Sequence, residues 1–163
     1  MARITSEAIE DFADENVKYV ELRTTPRAIP AAGLTKRQYI ETVLEEIQRK
    51  QKEGFDIVVR LLLSVDRSNS EADALDTVEL AREFSPSGVV GLDFSGNPHA
   101  NSFVQFARVF DLARSYGLRV TVHSAEIPHS PDTSFIFTTF RPDRVGHAVC
   151  LVGSRLLLYI IAR

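Results

Sequence analysis

Five short stretches of the chain are almost continuously apolar and rich in β-branched residues, and more polar segments separate them. They cover residues 17–22, 56–65, 89–94, 119–123 and 144–149. Runs of this kind are typical of strands that are buried on both faces, as in parallel sheets covered by helices. The pattern therefore predicts five strands of a parallel sheet.

Segments with apolar residues at helical spacing lie between these strands. Thr35 is a candidate N-cap for a helix that continues to Lys50. Similar patterns, each opened by a serine and followed by a glycine or proline, predict helices over 70–84 and from 102 to the glycine at 117. Residues 5–14 resemble the last part of a helix that leads into the first strand.

Strands and helices alternate at intervals of roughly 30 residues, about the length of one βα unit. This repetition predicts a parallel α/β fold, either an open doubly wound sheet or a (β/α)8 barrel. No Gly-x-Gly-x-x-Gly or Walker-type loop follows a predicted strand, and polar residues at the strand ends favour the barrel. We therefore predict a partial (β/α)8 TIM barrel of about five βα units over residues 1–151. Residues 152–163 form an atypical apolar tail.

The composition is that of an ordinary globular protein and argues against several classes of function. The 163 residues are 44% hydrophobic and 25% charged, with a net charge of −3, which disfavours a surface for nucleic acid polymers because such surfaces are basic. Cys150 is the only cysteine, so a reducing compartment is expected. Residues 1–20 lack a signal-peptide core, and the apolar run 156–162 is far shorter than the roughly 20 residues that cross a bilayer. We expect a cytoplasmic protein without a membrane partner.

Two of the predicted strands end in histidine. The sequence Val-Thr-Val-His closes at His123 and is followed by Glu126, and Arg-Val-Gly-His closes at His147. Imidazole is a common ligand of zinc and a frequent general base, and a carboxylate beside a metal-bound water can transfer protons. These three residues are therefore candidates for a hydrolytic metal site.

Simpler structural roles remain open for the polar residues near the strand ends. The alternatives are a hydrogen-bonded structural histidine at His123, an ion pair with an acid such as Glu21 for Arg23, a turn cap at Asp66, a buried hydrogen-bonded acid at Asp93 and a turn glycine at Gly96. The remaining histidines, His99 and His129, lie in proline-flanked loops and are expected at the surface.

Four longer motifs follow one another between residues 5 and 151. They are Val-Glu-Leu-Arg-Thr-Thr-Pro-Arg at 20–27, Val-Val-Gly-Leu-Asp-Phe-Ser-Gly-Asn-Pro at 89–98, His-Ser-Ala-Glu-Ile-Pro at 123–128 and Pro-Asp-Arg-Val-Gly-His at 142–147. Together they resemble the adenosine deaminase family, in the branch that acts on N6-methylated AMP. The resemblance implies a zinc-dependent barrel hydrolase that replaces the amino or methylamino group at purine carbon 6 with oxygen.

The resemblance also implies individual roles. His123 would be a zinc ligand, Glu126 would donate a proton to the purine ring, and His147 would orient or deprotonate the attacking water. Gly96 would approach the purine through its backbone. The residues implied at the sugar and phosphate end of a purine nucleoside or nucleotide are Asp66, Arg23, Thr24, Thr25 and Pro26.

The sequence also departs from the family pattern. Family members bind zinc through a His-x-His pair, a third histidine and an aspartate, whereas this sequence has no His-x-His and no acidic residue after Asp143. His123 is then one of four expected ligands, and catalytic zinc needs about three from the protein. We expect a fragment or shortened isoform that is inactive alone. A second hypothesis is a non-catalytic product of the same fold that competes or pairs with a full-length partner and so regulates it, because exposed barrel edges favour association. A third is an unrelated phosphate-binding α/β barrel.

Overall fold

The computed structural model describes residues 1–128, 130 and 132–152 and places five strands in one sheet. The strands are β1 (Tyr19–Thr24), β2 (Val58–Asp66), β3 (Val89–Ser95), β4 (Arg119–Ser124) and β5 (Arg144–His147). They lie side by side in sequence order, and every neighbouring pair is parallel. The parallel sheet predicted from the apolar runs is therefore confirmed.

Four longer helices accompany the strands. They are α1 (Ala2–Asp14), α2 (Lys36–Lys52), α3 (Glu71–Phe84) and α4 (Ala107–Ser115). Thr35 caps α2 as predicted, because its hydroxyl accepts from the backbone N–H of Gln38 while the Gln38 side chain accepts from the backbone N–H of Thr35. Ser70 caps α3 in a similar way through the N–H of Asp73. The helices α2, α3 and α4 return the chain after β1, β2 and β3, which is the connection that parallel strands require.

Some element boundaries differ from the prediction for local reasons. β1 begins at Tyr19 rather than at 17. β5 ends at His147 rather than at 149, because His147 and Ala148 have left-handed backbone angles, φ 63° and 57°, that do not continue a strand. Between β4 and β5 the chain forms one α-helical turn, Thr133–Phe135, and one π-helical turn, Ile136–Phe140, which the apolar pattern did not predict.

The helix-facing side of the sheet carries the main hydrophobic core. Alternate residues of β2, β3 and β4 are almost fully buried on this side, among them Leu61, Leu63, Val65, Leu92, Phe94, Val120 and Val122. Aromatic rings close the core around Phe94. Its ring centroid lies 5.1 Å from that of Phe103, which in turn lies 4.6 Å from that of Phe140. This cluster packs the segment after β3 and the π-helical turn against the end of the sheet.

The opposite side of the sheet is concave. Arg144 Nη2 on β5 lies 2.6 Å from Glu21 Oε2 on β1, although three strands separate β1 from β5 in the sheet. In a flat sheet, four spacings of about 4.8 Å would keep the two strands roughly 19 Å apart, too far for this contact. The sheet is therefore curled into a partial (β/α)8 barrel, and the predicted fold class is confirmed.

Part of the predicted domain organisation lies outside the described residues. This holds for 153–163, which make up nearly all of the predicted tail, and for His129, so the boundary at 151 and the surface position of His129 stay predictions. In the part of the chain that the structure describes, no helix combines the length and the apolar character needed to cross a membrane.

Truncating Phe103 tests the aromatic cluster. Phe103 is fully buried against four other rings, so Phe103→Ala should lower the free energy of unfolding by about 3–5 kcal/mol, as expected for a phenylalanine removed from a packed core. Urea denaturation measures the loss. The matched control is Val104→Ala, since Val104 is 50% exposed and should change stability by less than about 0.5 kcal/mol. Equal losses in both variants would contradict this packing.

Candidate active site

The carboxyl ends of the five strands meet at one rim of the partial barrel, because all strands run in the same direction. The strand pairing sets His123 beside Gly146 and Ser124 beside His147. The two histidine rings consequently lie with their centroids 5.2 Å apart and their planes at 70°. The rim carries the predicted site residues in strand order: Arg23 and Thr24 at β1, Asp66 at β2, Gly96 after β3, His123 at β4 and His147 at β5.

The His123 ring is held on three sides. Its Nδ1 lies 2.8 Å from Asp93 Oδ1, but the two atoms are not aligned as a hydrogen bond. Arg23 Nη1 lies 3.3 Å from its Nε2. The third side is the backbone of β5, where a Cβ on Gly146 would fall 2.6 Å from Cδ2 of the ring. A glycine at 146 is therefore what allows the ring to rest on β5.

Asp93 is the buried charge of the site, with only 1% of its side chain exposed. Its Oδ2 accepts hydrogen bonds from Arg23 Nη1 at 3.0 Å and from Ser64 Oγ at 3.2 Å. A buried carboxylate is tolerated when it is paired and hydrogen-bonded. The two donors satisfy Oδ2, whereas Oδ1 has no hydrogen-bond partner among the described residues. Arg23 thus pairs with Asp93 rather than with Glu21, because Arg144 reaches Glu21 from the far side of the barrel interior.

Glu126 and His147 form a second close pair. The distance from Glu126 Oε2 to His147 Nε2 is 3.2 Å, and both side chains are partly exposed at the rim. Three residues in the turns after β4 and β5 have positive φ: Ala125 at 53°, His147 at 63° and Ala148 at 57°. Left-handed backbone at non-glycine residues is uncommon, and it clusters at functional sites where surrounding structure holds it in place. These turns set the position of the Glu126–His147 pair.

Asp66 and Gly96 are in direct contact. The Asp66 carboxylate accepts from the backbone N–H of Ser68 at 2.8 Å and from its hydroxyl at 2.5 Å. Gly96 has φ 107°, and a Cβ there would fall 2.5 Å from Asp66 Oδ2. Glycine is therefore needed at 96 for its backbone conformation and also for the close approach to the carboxylate.

A cavity of about 490 Å³ lies beside Asp66, between the loops that follow β1 and β2. The residues that were expected at the sugar and phosphate end lie in two different places, and Arg23 and Thr24 are not part of the cavity lining. Arg23 lies against Asp93 and His123, and the Thr24 hydroxyl bonds the Tyr39 hydroxyl at 2.7 Å. The cavity is lined by Thr25, Pro26, Arg27, Tyr39, Asp66, Ser68 and Asn69.

Arg67 and Asp132 are buried below the rim, and the sequence analysis did not predict them as site residues. Arg67 Nη1 lies 3.1 Å from Asp132 Oδ2, and its Nη2 donates to the carbonyl oxygen of His123 at 3.1 Å. Burial alone raises the pKa of Asp132, but the backbone N–H of Phe103, the Ser130 hydroxyl and the Arg67 guanidinium together hold that pKa below its ordinary value. Asp132 is therefore an ionised partner of Arg67 at neutral pH.

The described residues do not by themselves fit a zinc ion. Among them, no group of three or more His, Cys, Asp or Glu residues is arranged to hold a metal. His123 offers Nε2, but this atom faces the Arg23 guanidinium, whose positive charge opposes a cation. One imidazole also falls short of the roughly three protein ligands of catalytic zinc.

Comparison with known proteins gives a consistent set of relatives. Residues 1–163 match the family model for adenosine deaminase. The chain is 41% identical over 163 residues to N6-Methyl-AMP deaminase-L of Xenopus laevis, covering 98% of this chain and 47% of that protein. Its fold matches the apo structure of the N6-methyl-AMP deaminase from Arabidopsis thaliana, with a TM-score of 0.83, 42% identity and coverage of 90% of this chain and 45% of that one. Arabidopsis ADAL complexed with IMP matches with a TM-score of 0.81, 39% identity and the same coverage. The chain thus spans less than half the length of these relatives.

Substituting Gly146 tests the contact between His123 and β5. In Gly146→Ala the new Cβ would overlap the His123 ring, so the ring must move, and the free energy of unfolding should fall by about 1–3 kcal/mol, the usual cost of overpacking. NMR signals of the His123 ring report the displacement. Gly91→Ala is the control, because its Cβ would overlap the carbonyl of Arg119 at the other end of β4 and should leave the His123 signals in place. Unchanged His123 signals in Gly146→Ala would contradict the geometry.

Proposed function

Because this chain belongs to the adenosine deaminase family, we propose that it carries part of the catalytic face of a hydrolase that removes the amino or methylamino group from carbon 6 of a purine nucleotide, with N6-methyl-AMP as substrate. The observation that carries the proposal is the convergence of His123, Glu126 and His147 at one rim of the partial barrel. The relatives that cover most of this chain include N6-methyl-AMP deaminases. Membership of this family excludes the unrelated phosphate-binding barrel.

Within this proposal, Glu126 donates a proton to the purine ring as water attacks carbon 6. His147 orients that water or removes its proton. Each side chain is of a suitable type, because carboxyl and imidazole groups act as general acids and bases when they lie within hydrogen-bond reach of the proton that they transfer. The distance of 3.2 Å between Glu126 Oε2 and His147 Nε2 supports the proposal, since it places a carboxyl group and an imidazole side by side at the rim.

The same proposal assigns the rest of the rim to substrate binding. Gly96 approaches the purine through its backbone, and the cavity beside Asp66 receives the sugar. The loop at the end of β1 holds the sugar and phosphate end, with Arg23, Thr24, Thr25 and Pro26 as its residues. Arabidopsis ADAL has been solved with IMP, which supports a purine nucleotide as the ligand. A guanidinium suits a phosphate because it offers paired donors, and 44% of the Arg23 side chain is exposed at the rim.

Zinc is the proposed cofactor of the complete site, with His123 as one ligand. It would supply a nucleophilic hydroxide at neutral pH. The described residues do not fit the ion by themselves. We propose that this chain is inactive alone, that it acts in the cytoplasm, and that neither a nucleic acid polymer nor a membrane is its partner.

Binding and turnover can be measured separately on the isolated chain. In an NMR titration with IMP, we expect the shifted amide signals to cluster at the rim, around Asp66, Gly96 and His123. Asp66→Asn should weaken the binding by roughly tenfold, as expected when a charged hydrogen-bonding group is removed from a ligand site. In ultraviolet assays of N6-methyl-AMP with added zinc, we expect no turnover.

The control for the binding arm is Asp56→Asn, which removes an exposed partner of Lys18 just before the amino end of β2 and should leave the affinity unchanged. Shifts confined to residues away from the rim would overturn the assignment of the binding face. Zinc-dependent turnover would overturn the proposed inactivity of the chain while supporting the reaction.

Association through barrel edges is a second candidate function, and the sheet topology favours it. Among the described residues, β1 pairs only with β2 and β5 only with β4. Tyr19 and Val58 are 54% and 43% exposed at the amino ends of β1 and β2. Unpaired strand edges and exposed apolar side chains favour contacts with another chain, which supports a non-catalytic role in pairing with a longer family member or a second copy.

Light scattering across a range of concentrations tests the association. A mass that rises with concentration, and that falls back when Tyr19 and Val58 are both replaced by lysine, is the expected result. A concentration-independent monomer that melts cooperatively would rule this function out.

A further inference from the structure

Arg67 is a charged side chain that is almost completely removed from solvent, with 2% of it exposed. Its guanidinium lies over the Phe94 ring, with 4.6 Å from Cζ to the ring centroid. Nη1 donates to the carbonyl of Asn101 at 3.0 Å and to Asp132 Oδ2 at 3.1 Å, while Nη2 donates to the carbonyl of His123 at 3.1 Å. One planar group thus joins the end of β2 to the loop after β3, to the end of β4 and to the segment that follows β4.

The contact with His123 belongs to a larger pattern in the segment that carries the candidate catalytic residues. Three successive carbonyls accept hydrogen bonds from two other parts of the chain. The carbonyl of His123 accepts from Arg67, that of Ser124 from the N–H of Ala148 at 3.0 Å, and that of Ala125 from the N–H of Cys150 at 2.8 Å. The segment from His123 to Glu126 is therefore fixed by Arg67 on one side and by the turn after β5 on the other.

Burial of this ion pair is poorly explained by stability alone. Removing two charges from water costs about as much as their attraction returns, and apolar side chains of similar volume often stabilise a protein as well or better. The guanidinium of an arginine is planar and rigid, so its N–H donors can reach several acceptors at fixed angles, like a fork. Those acceptors are backbone atoms and a carboxylate around the end of β4.

We propose that Arg67 is a positioning residue for the site, which sets the orientation of the His123–Glu126 segment through the His123 carbonyl. The proposal rests on the function proposed above for His123 and Glu126. Arg67 is buried below the rim and acts through the backbone of β4. Its contribution is to hold the turn with positive φ at Ala125, so that His123 and Glu126 project toward His147.

The test is Arg67→Lys, which keeps the charge beside Asp132 but removes the fork that also reaches His123. We expect the ring signals of His123 in NMR to shift. The amides of Ala148 and Cys150, which bond the neighbouring carbonyls, should exchange hydrogen roughly tenfold faster, as expected for a local opening. Amides in the centre of β2 should keep their exchange rates, because the core below them is unchanged.

Arg119→Lys is the matched control, since Arg119 pairs with Asp143 at 2.7 Å at the amino end of the same strand and should leave the His123 signals in place. Equal acceleration of exchange throughout the sheet in Arg67→Lys would show that Arg67 serves stability alone and would overturn the proposal. Unchanged His123 signals and unchanged exchange would overturn it as well.

A second variant keeps the test decisive if Arg67→Lys does not fold. Asp132→Asn loosens the Arg67 fork from the opposite side, and it should give a smaller change of the same kind at His123, Ala148 and Cys150. No selective change there would overturn the proposal. These measurements use no substrate. If IMP failed to bind at the rim, that result would count against the proposed function but would not contradict the role of Arg67.

Discussion

Parallel hydrogen bonding among five neighbouring strands is the constraint on which the rest of this structure depends. Because every strand runs in the same direction, all carboxyl ends meet at one rim, and the polar residues that end the strands come together there without being close in sequence. Arg23, Asp93 and His123 lie on three different strands and still form one contact group. The curl of the sheet then turns this group inward, as the contact between β1 and β5 through Glu21 and Arg144 requires.

Charged side chains that are buried in a protein need partners of opposite charge, and the carboxyl end of this sheet shows two such pairs. Asp93 is matched by Arg23, and Arg67 by Asp132. Buried pairs of this kind add little net stability, because desolvation offsets most of their attraction. Their effect is geometric, since each carboxylate accepts from donors on separate elements and so fixes the distance between them. The apolar core on the helix-facing side of the sheet, including the aromatic cluster around Phe94, provides the stability that these ion pairs do not.

Much of the fold could be predicted from the sequence, because strand runs, N-caps and helix periodicity are local signals. Thr35 and Ser70 cap the helices that their sequences predict, and the strand-end residues His123 and His147 do meet at the rim. Contacts between segments that are far apart along the chain have no such local signal in the sequence. Asp132 is 65 residues from Arg67 along the chain, and no local pattern links them. The sequence did not predict the partner of Arg23 either, because the choice between Glu21 and Asp93 depends on the curl of the sheet. The early end of β5 follows from the positive φ of His147 and Ala148, which propensities for ordinary residues do not predict.

The central claim is that the ends of β4 and β5 bring two imidazoles and one carboxylate into a single site. It is tested most directly by nuclear Overhauser measurements between the side chains of His123, Glu126 and His147 in the chain labelled at histidine and glutamate. The account predicts cross-peaks between the two rings, whose centroids lie 5.2 Å apart, and between His147 and the Glu126 side chain. Absence of both cross-peaks, with the ring signals of each histidine resolved, would contradict it.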